Sequence, residues 1–204
     1  MGMAKEPLSE EHNKARARML PYWAALGAFV DRFAHVELTM KAAIARATGI
    51  TDDMMRIVLG GTRGDNAATY LGRLDEINVV GHGEPGEITE YLVRFSTLNK
   101  MRNDLVHFGV DTGGEQIGDE MRISNKHLAR TPNHLNEFTV TPQIVLDMAH
   151  DLTKIYFFFG LYVTGDRLGS ATHAAGRRFL EGAWRYTPPQ LEGQLRKIRE
   201  GSRT

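Results

Sequence analysis

The 204-residue chain carries 25 Lys and Arg against 25 Asp and Glu, and it has no cysteine. Zero net charge gives no global nucleic-acid signature. The missing cysteine excludes structural disulfides, thiolate zinc sites and a cysteine nucleophile, and 42% hydrophobic with 25% charged residues is the composition of a folded domain.

The charge is unevenly placed. Residues 165–204 hold eight Lys or Arg and four acids, a net of +4, so residues 1–164 carry −4. The N-terminal stretch "MGMAKEPLSEEHNKARARML" has no apolar signal core. The most apolar run, "IYFFFGLYV" at 155–163, is too short to span a bilayer and reads as a buried helix. The expectation is a cytoplasmic protein with no membrane association. Two regions are expected: a helical domain over 1–164 and a basic C-terminal arm over 165–204.

In chain order, Met19, Trp23, Leu26, Val30, Phe33, Val36, Met40 and Ile44 recur every three or four residues, which predicts one long amphipathic helix over about 10–48. Ser9 and the acids after it form its start. Pro21 either kinks it or marks its true beginning, and Gly49 ends it. Thr51 caps a short helix ending at Gly60 and Gly61. A second short helix places Tyr70, Leu71, Leu74 and Ile77 inward. "VVGHGEPGE" at 79–87 is loop. The next helix, over about 87–108, has Ile88, Tyr91, Phe95, Leu98 and Leu105 as its stripe.

Residues 110–140 are rich in turn formers, with strand-like pieces near 120–124 and 137–140, and predict a β-hairpin or an irregular insertion. Thr141 and Pro142 are a hydroxyl N-cap and an N1 proline; they open a helix that runs to about 164 through Ile144, Val145, Met148, Leu152, Ile155, Phe159 and Tyr162. The arm is weakly patterned, and its Trp184 and Tyr186 predict packing on the body or on a partner. A further Thr-Pro start at Thr187 predicts a short basic helix. The fold class is mainly α, built on three long helices.

Asp147, His150 and Asp151 share a helical face at a spacing that can bind a metal. A carboxylate-bridged bundle would need Glu-x-x-His on two helices, and that pair is absent, so they read as a polar face and no metal or cofactor is expected. "LGGTRGDNAAT" lacks the phosphate-loop pattern and reads as a connector.

The informative stretch is "LNKMRNDLVHFG" at 98–109. With Leu98 at zero on a helical wheel, Tyr91 falls near 20°, Phe95 near 60° and Leu105 near −20°, so Arg102, near 40°, sits in the middle of the apolar stripe. Asn103 falls near about 140° and His107 near about 180°. One helix therefore does not point Arg102 and His107 at one small target. An arginine in a stripe needs a partner, either an acid such as Glu37 beneath a loop or a groove between two copies. His107 in the last turn complements the helix macrodipole, which is by itself a sufficient reason for its position.

Arg102, Asn103 and His107 resemble the R-x4-6-H signature of the HEPN superfamily, which often carries a polar residue directly after the arginine. The resemblance spans about residues 15–164. It implies an antiparallel helical bundle with the hairpin-like insertion between the last two long helices. Glu37 and Lys41, as E-x3-K on the first long helix, resemble a supporting acidic–basic pair of some HEPN families. Phe108-Gly109 stands where the toxin-like branch carries a tyrosine. The resemblance implies a homodimeric, metal-independent endoribonuclease in phage defence or a toxin–antitoxin setting, with Arg102, Asn103 and His107 catalytic and RNA and an antitoxin or regulatory protein as partners. Its alternative is a non-catalytic RNA- or protein-binding module in which the motif is a structural brace.

Overall fold

The computed structural model describes residues 10–77, 87–108, 110, 120–124, 137–164, 170–186 and 188. Among these lie six helices and one two-stranded antiparallel sheet: α1 (Glu10–Thr48), α2 (Asp52–Leu59), α3 (Gly64–Glu76), α4 (Glu87–Phe108), β1 (Met121–Ser124), β2 (Glu137–Val140), α5 (Pro142–Thr164) and α6 (Ser170–Glu181). None of the described helices is long and apolar enough to cross a membrane.

The punctuation marks act as their chemistry dictates. Pro21 lies inside α1, which is one continuous helix. Gly49 adopts φ +71°, the left-handed conformation that suits a glycine after a helix end. Thr51 Oγ1 accepts the Met54 N–H at the start of α2, and Thr141 Oγ1 accepts the Ile144 N–H at the start of α5. β1 pairs with β2 from Met121↔Val140 to Ser124↔Glu137, and Met121, Ile123 and Val140 are buried.

α1 and α5 form the central pair and run in the same direction, since His35 faces Tyr156 and Arg46 faces Tyr162. α4 runs against both. Its Tyr91 stacks on Phe158 with centroids 3.9 Å apart, and its Phe95 stacks on Phe33 at 5.1 Å. The core comprises Tyr22, Phe29, Phe33 and Met40 of α1, Leu71 of α3, Phe95 and Leu105 of α4, and Met148, Leu152 and Phe159 of α5. Burying side chains of this size, at about 1.5–3 kcal/mol each, is what holds the helices together.

Three sequence expectations are corrected. The buried face of α1 follows Met19, Tyr22, Ala25, Phe29, Phe33, Val36 and Met40, and leaves Trp23 and Val30 exposed. Each lies about 100° from its buried neighbour, so the same three-to-four spacing runs along two faces. On α3, Leu71 is buried while Tyr70 faces outward, as does Ile77 just past the helix end. The arm contains a full helix, α6, where the apolar pattern is weak; it packs on α5, with Phe179 against Phe157 at 5.2 Å. The basic helix expected after Thr187 and most of the expected insertion lie outside the described residues.

Candidate functional site

Arg102, Asn103 and His107 occupy the last two turns of α4. Arg102 is half-buried, and its guanidinium lies over the Phe33 ring of α1, with Cζ 5.1 Å from the centroid. Phe33 in turn stacks on Phe95 at 27° between ring planes. The cation therefore rests on a two-ring platform, which is favourable because the ring face is electronegative. Its Nη1 donates to Asn103 Oδ1 at 2.9 Å. With Oδ1 so engaged, the Asn103 amide presents its two N–H donors elsewhere. Among the described residues Arg102 has no carboxylate partner. His107 is exposed, with no hydrogen-bond partner among the described residues.

Glu37 and Lys41 do not reach this motif and are not an ion pair with each other. Glu37 Oε1 accepts the Gly64 N–H, the first amide of α3, at 2.7 Å. Lys41 Nζ donates to the Gly60 carbonyl at the end of α2, at 3.3 Å. An acid thus sits at a helix N-terminus and a cation at a helix C-terminus, each matching the local dipole. Only Glu37 is linked to the motif, through packing. A Cβ at Gly64 would lie 2.6 Å from Phe95 Cζ and 2.7 Å from Glu37 Oε1, and Phe95 carries Phe33, which carries Arg102.

Next to Arg102 on α4, Asp104 has its carboxyl pushed up by burial, with the Lys100 charge pulling the other way. Tyr186 of the arm has its phenol raised by burial, reinforced by the Asp104 charge.

A second group of charges lies in the groove between α4 and α5. Asp151, Lys154 and Arg94 are all buried. Asp151 is not on a solvated polar face: its Oδ1 accepts the Arg185 N–H at 2.9 Å and its Oδ2 the Tyr186 N–H at 2.8 Å. Lys154 Nζ donates to the Gly182 carbonyl. Trp184 contacts both cations, with Arg94 Cζ 4.1 Å and Lys154 Nζ 4.4 Å from the ring centroid, and Tyr91 meets it edge-on at 5.3 Å. Arg94 also pairs with Glu90 at 3.3 Å. Burial lowers the Lys154 pKa; Asp151 opposes that shift, Arg94 adds to it and Glu90 opposes it. His150 Nδ1 stands 3.5 Å from Asp151 Oδ1, and the ring packs on Phe179 of α6 at 5.3 Å. Among the described residues no three His, Cys, Asp or Glu side chains gather as metal donors.

The arm therefore docks on its own body as far as residue 186. The sequence carried two signals of this: Trp184, too costly to leave bare, and Lys154, a cation in the most apolar helix. No family model matches the chain, and no curated protein or solved structure matches it either.

Proposed function

We propose that the chain is a HEPN-like, metal-independent endoribonuclease that acts as a homodimer. The observation that carries this reading is Arg102: a half-buried cation without a carboxylate partner among the described residues, set on Phe33 and tied to Asn103, one helical turn before the exposed His107. A guanidinium in that state keeps donors for a phosphate oxygen. In cleavage by the RNA's own 2′-hydroxyl, a base removes the 2′ proton while the oxygen attacks phosphorus. An acid then protonates the departing 5′-oxygen, leaving a 2′,3′-cyclic phosphate and a 5′-hydroxyl. Histidine titrates in the range both steps require. Arg102 and the Asn103 amide would stabilise the charge that builds on the phosphorane oxygens. Arg102 and His107 diverge by about 140° on one helix, so two copies facing one cleft would supply the convergent set. A setting in phage defence or a toxin–antitoxin pair is part of the proposal.

The competing reading is a non-catalytic RNA- or protein-binding module. It is favoured by the engagement of Arg102 with Phe33 and Asn103, which is also what a brace between α1 and α4 would show. Arg102→Ala and His107→Ala, assayed for cleavage of a labelled RNA, separate the two. The catalytic reading expects each variant to lose about 100-fold or more in rate, with the fold intact by circular dichroism. Cleavage retained by both variants refutes the assignment; salt-sensitive RNA binding without cleavage supports the module.

A further inference from the structure

The groove between α4 and α5 holds residues 182–186 in a way that reads the arm chiefly through its backbone. The carboxylate of Asp151 takes two consecutive amides, Arg185 and Tyr186. The ammonium of Lys154 takes the carbonyl of Gly182. The Trp184 ring meets Arg94 and Lys154, and Tyr186 packs against the core beside it. These are the elements of a site for a bent peptide: the chain turns at Gly182 and Arg185 so that two consecutive amides face one carboxylate, and the aromatic rings of Trp184 and Tyr186 anchor it.

The walls of the groove bear on whether the arm can leave. A groove of apolar side chains would lose heavily on opening to water. Here the walls carry Asp151, Lys154, Arg94 and Glu90, each of which water solvates well once exposed. Opening therefore exchanges protein hydrogen bonds for hydration of charged groups, and the apolar contacts given up are those of the Trp184 and Tyr186 rings.

We propose that the α4–α5 groove is a docking site for a bent, tryptophan-bearing peptide segment, and that the chain's own residues 182–186 occupy and mask it. The partner it fits is a protein segment presenting a carbonyl, a tryptophan two residues later and two consecutive amides after that. The proposal is independent of RNA cleavage, since no group in it is shared with Arg102, Asn103 or His107. In the intact chain the arm is tethered, and tethered segments compete at effective concentrations of about 1 mM. A free peptide at micromolar concentration is therefore excluded from wild type and admitted only when the arm is weakened.

The test uses the full chain and a fluorescein-labelled synthetic peptide with the sequence of residues 180–188, read by fluorescence anisotropy. Wild type is expected to bind it at least tenfold more weakly than the Trp184→Ala variant. Adding Asp151→Asn to Trp184→Ala is expected to remove at least tenfold of the gained affinity. A folded Trp184→Ala chain that fails to bind the peptide overturns the proposal, as does binding that the Asp151→Asn change leaves untouched. Should Trp184→Ala not fold, hydrogen exchange on wild type decides. Amides of Arg185 and Tyr186 that exchange faster than those of α5 support an arm that lifts off on its own; exchange only through global unfolding refutes it.

Discussion

Gly64→Ala is a severe test of the packing beneath the motif. Glycine to alanine on a helix ordinarily stabilises by about 0.5–1 kcal/mol, because alanine loses less conformational freedom on folding. At Gly64 the new methyl would lie 2.6 Å from Phe95 Cζ and 2.7 Å from Glu37 Oε1. The carboxylate is the end of a flexible side chain, but moving it breaks its bond to the first amide of α3, a cap worth about 0.3–1 kcal/mol. Phe95 has nowhere simple to go. It is fully buried and stacked on Phe33, so the shift is an overpacking cost of about 1–3 kcal/mol. The net expectation is a loss of about 1–3 kcal/mol, or a drop of about 2–10 °C in melting temperature for a chain of this size. Gly27→Ala is the internal control. Nothing lies within 4 Å of its added Cβ, so it should gain about 0.5–1 kcal/mol. Thermal unfolding followed at 222 nm reads both. A Gly64→Ala protein that melts at or above wild type would show that Phe95 has room, and the rigid link from Glu37 to Arg102 would fall with it.

Three further outcomes follow from the same geometry. Asp151→Asn should destabilise by about 1–3 kcal/mol in urea unfolding, since it takes an acceptor from the Arg185 and Tyr186 amides; a loss below about 0.5 kcal/mol would mean the arm contributes little to stability. Tyr22→Phe should be neutral or mildly stabilising at pH 7, because the buried hydroxyl has no partner among the described residues. The Tyr22 phenol is pushed from 10.0 up to about 12 by burial, so the unfolded chain ionises first. Its contribution is therefore present below pH 10 and lost as pH rises from 10 towards 12. Wild type minus Tyr22→Phe should show an alkaline loss of up to about 2.7 kcal/mol in denaturant titrations across that range; no difference between the two proteins there would refute the reasoning.

The elements were legible because their boundaries are local chemistry. The Thr51 and Thr141 hydroxyls, Pro142 and Gly49 act within a turn of themselves, and the helix starts and stops they predict coincide with those of the fold. Which face of a helix is buried is not local. Trp23 and Val30 satisfy the spacing of an apolar stripe, but the line along Tyr22, Phe29 and Phe33 meets α4 and α5. The site divides in the same way. Arg102 is conspicuous because it interrupts a stripe, and Arg94 interrupts the same stripe two turns earlier without forming part of any motif. Its significance rests on Trp184, 90 residues further on, a contact that no periodicity within either segment encodes. Glu37 and Lys41 were legible as a pair by spacing, but their partners are the Gly64 amide and the Gly60 carbonyl, which become reachable only once α2 and α3 fold back.

The docked arm also sets an order of assembly during synthesis. Both walls of the α4–α5 groove precede the arm in the chain, so a ribosome makes Arg94, Asp151 and Lys154 before it makes Trp184. Until then those three charges are hydrated, and the two helices meet through the Tyr91–Phe158 stack without the segment that later covers the groove. Closure of the groove is thus a late event, made by a segment that follows all of the described helices. A message cut short before Trp184 lacks the segment that covers Arg94, Asp151 and Lys154.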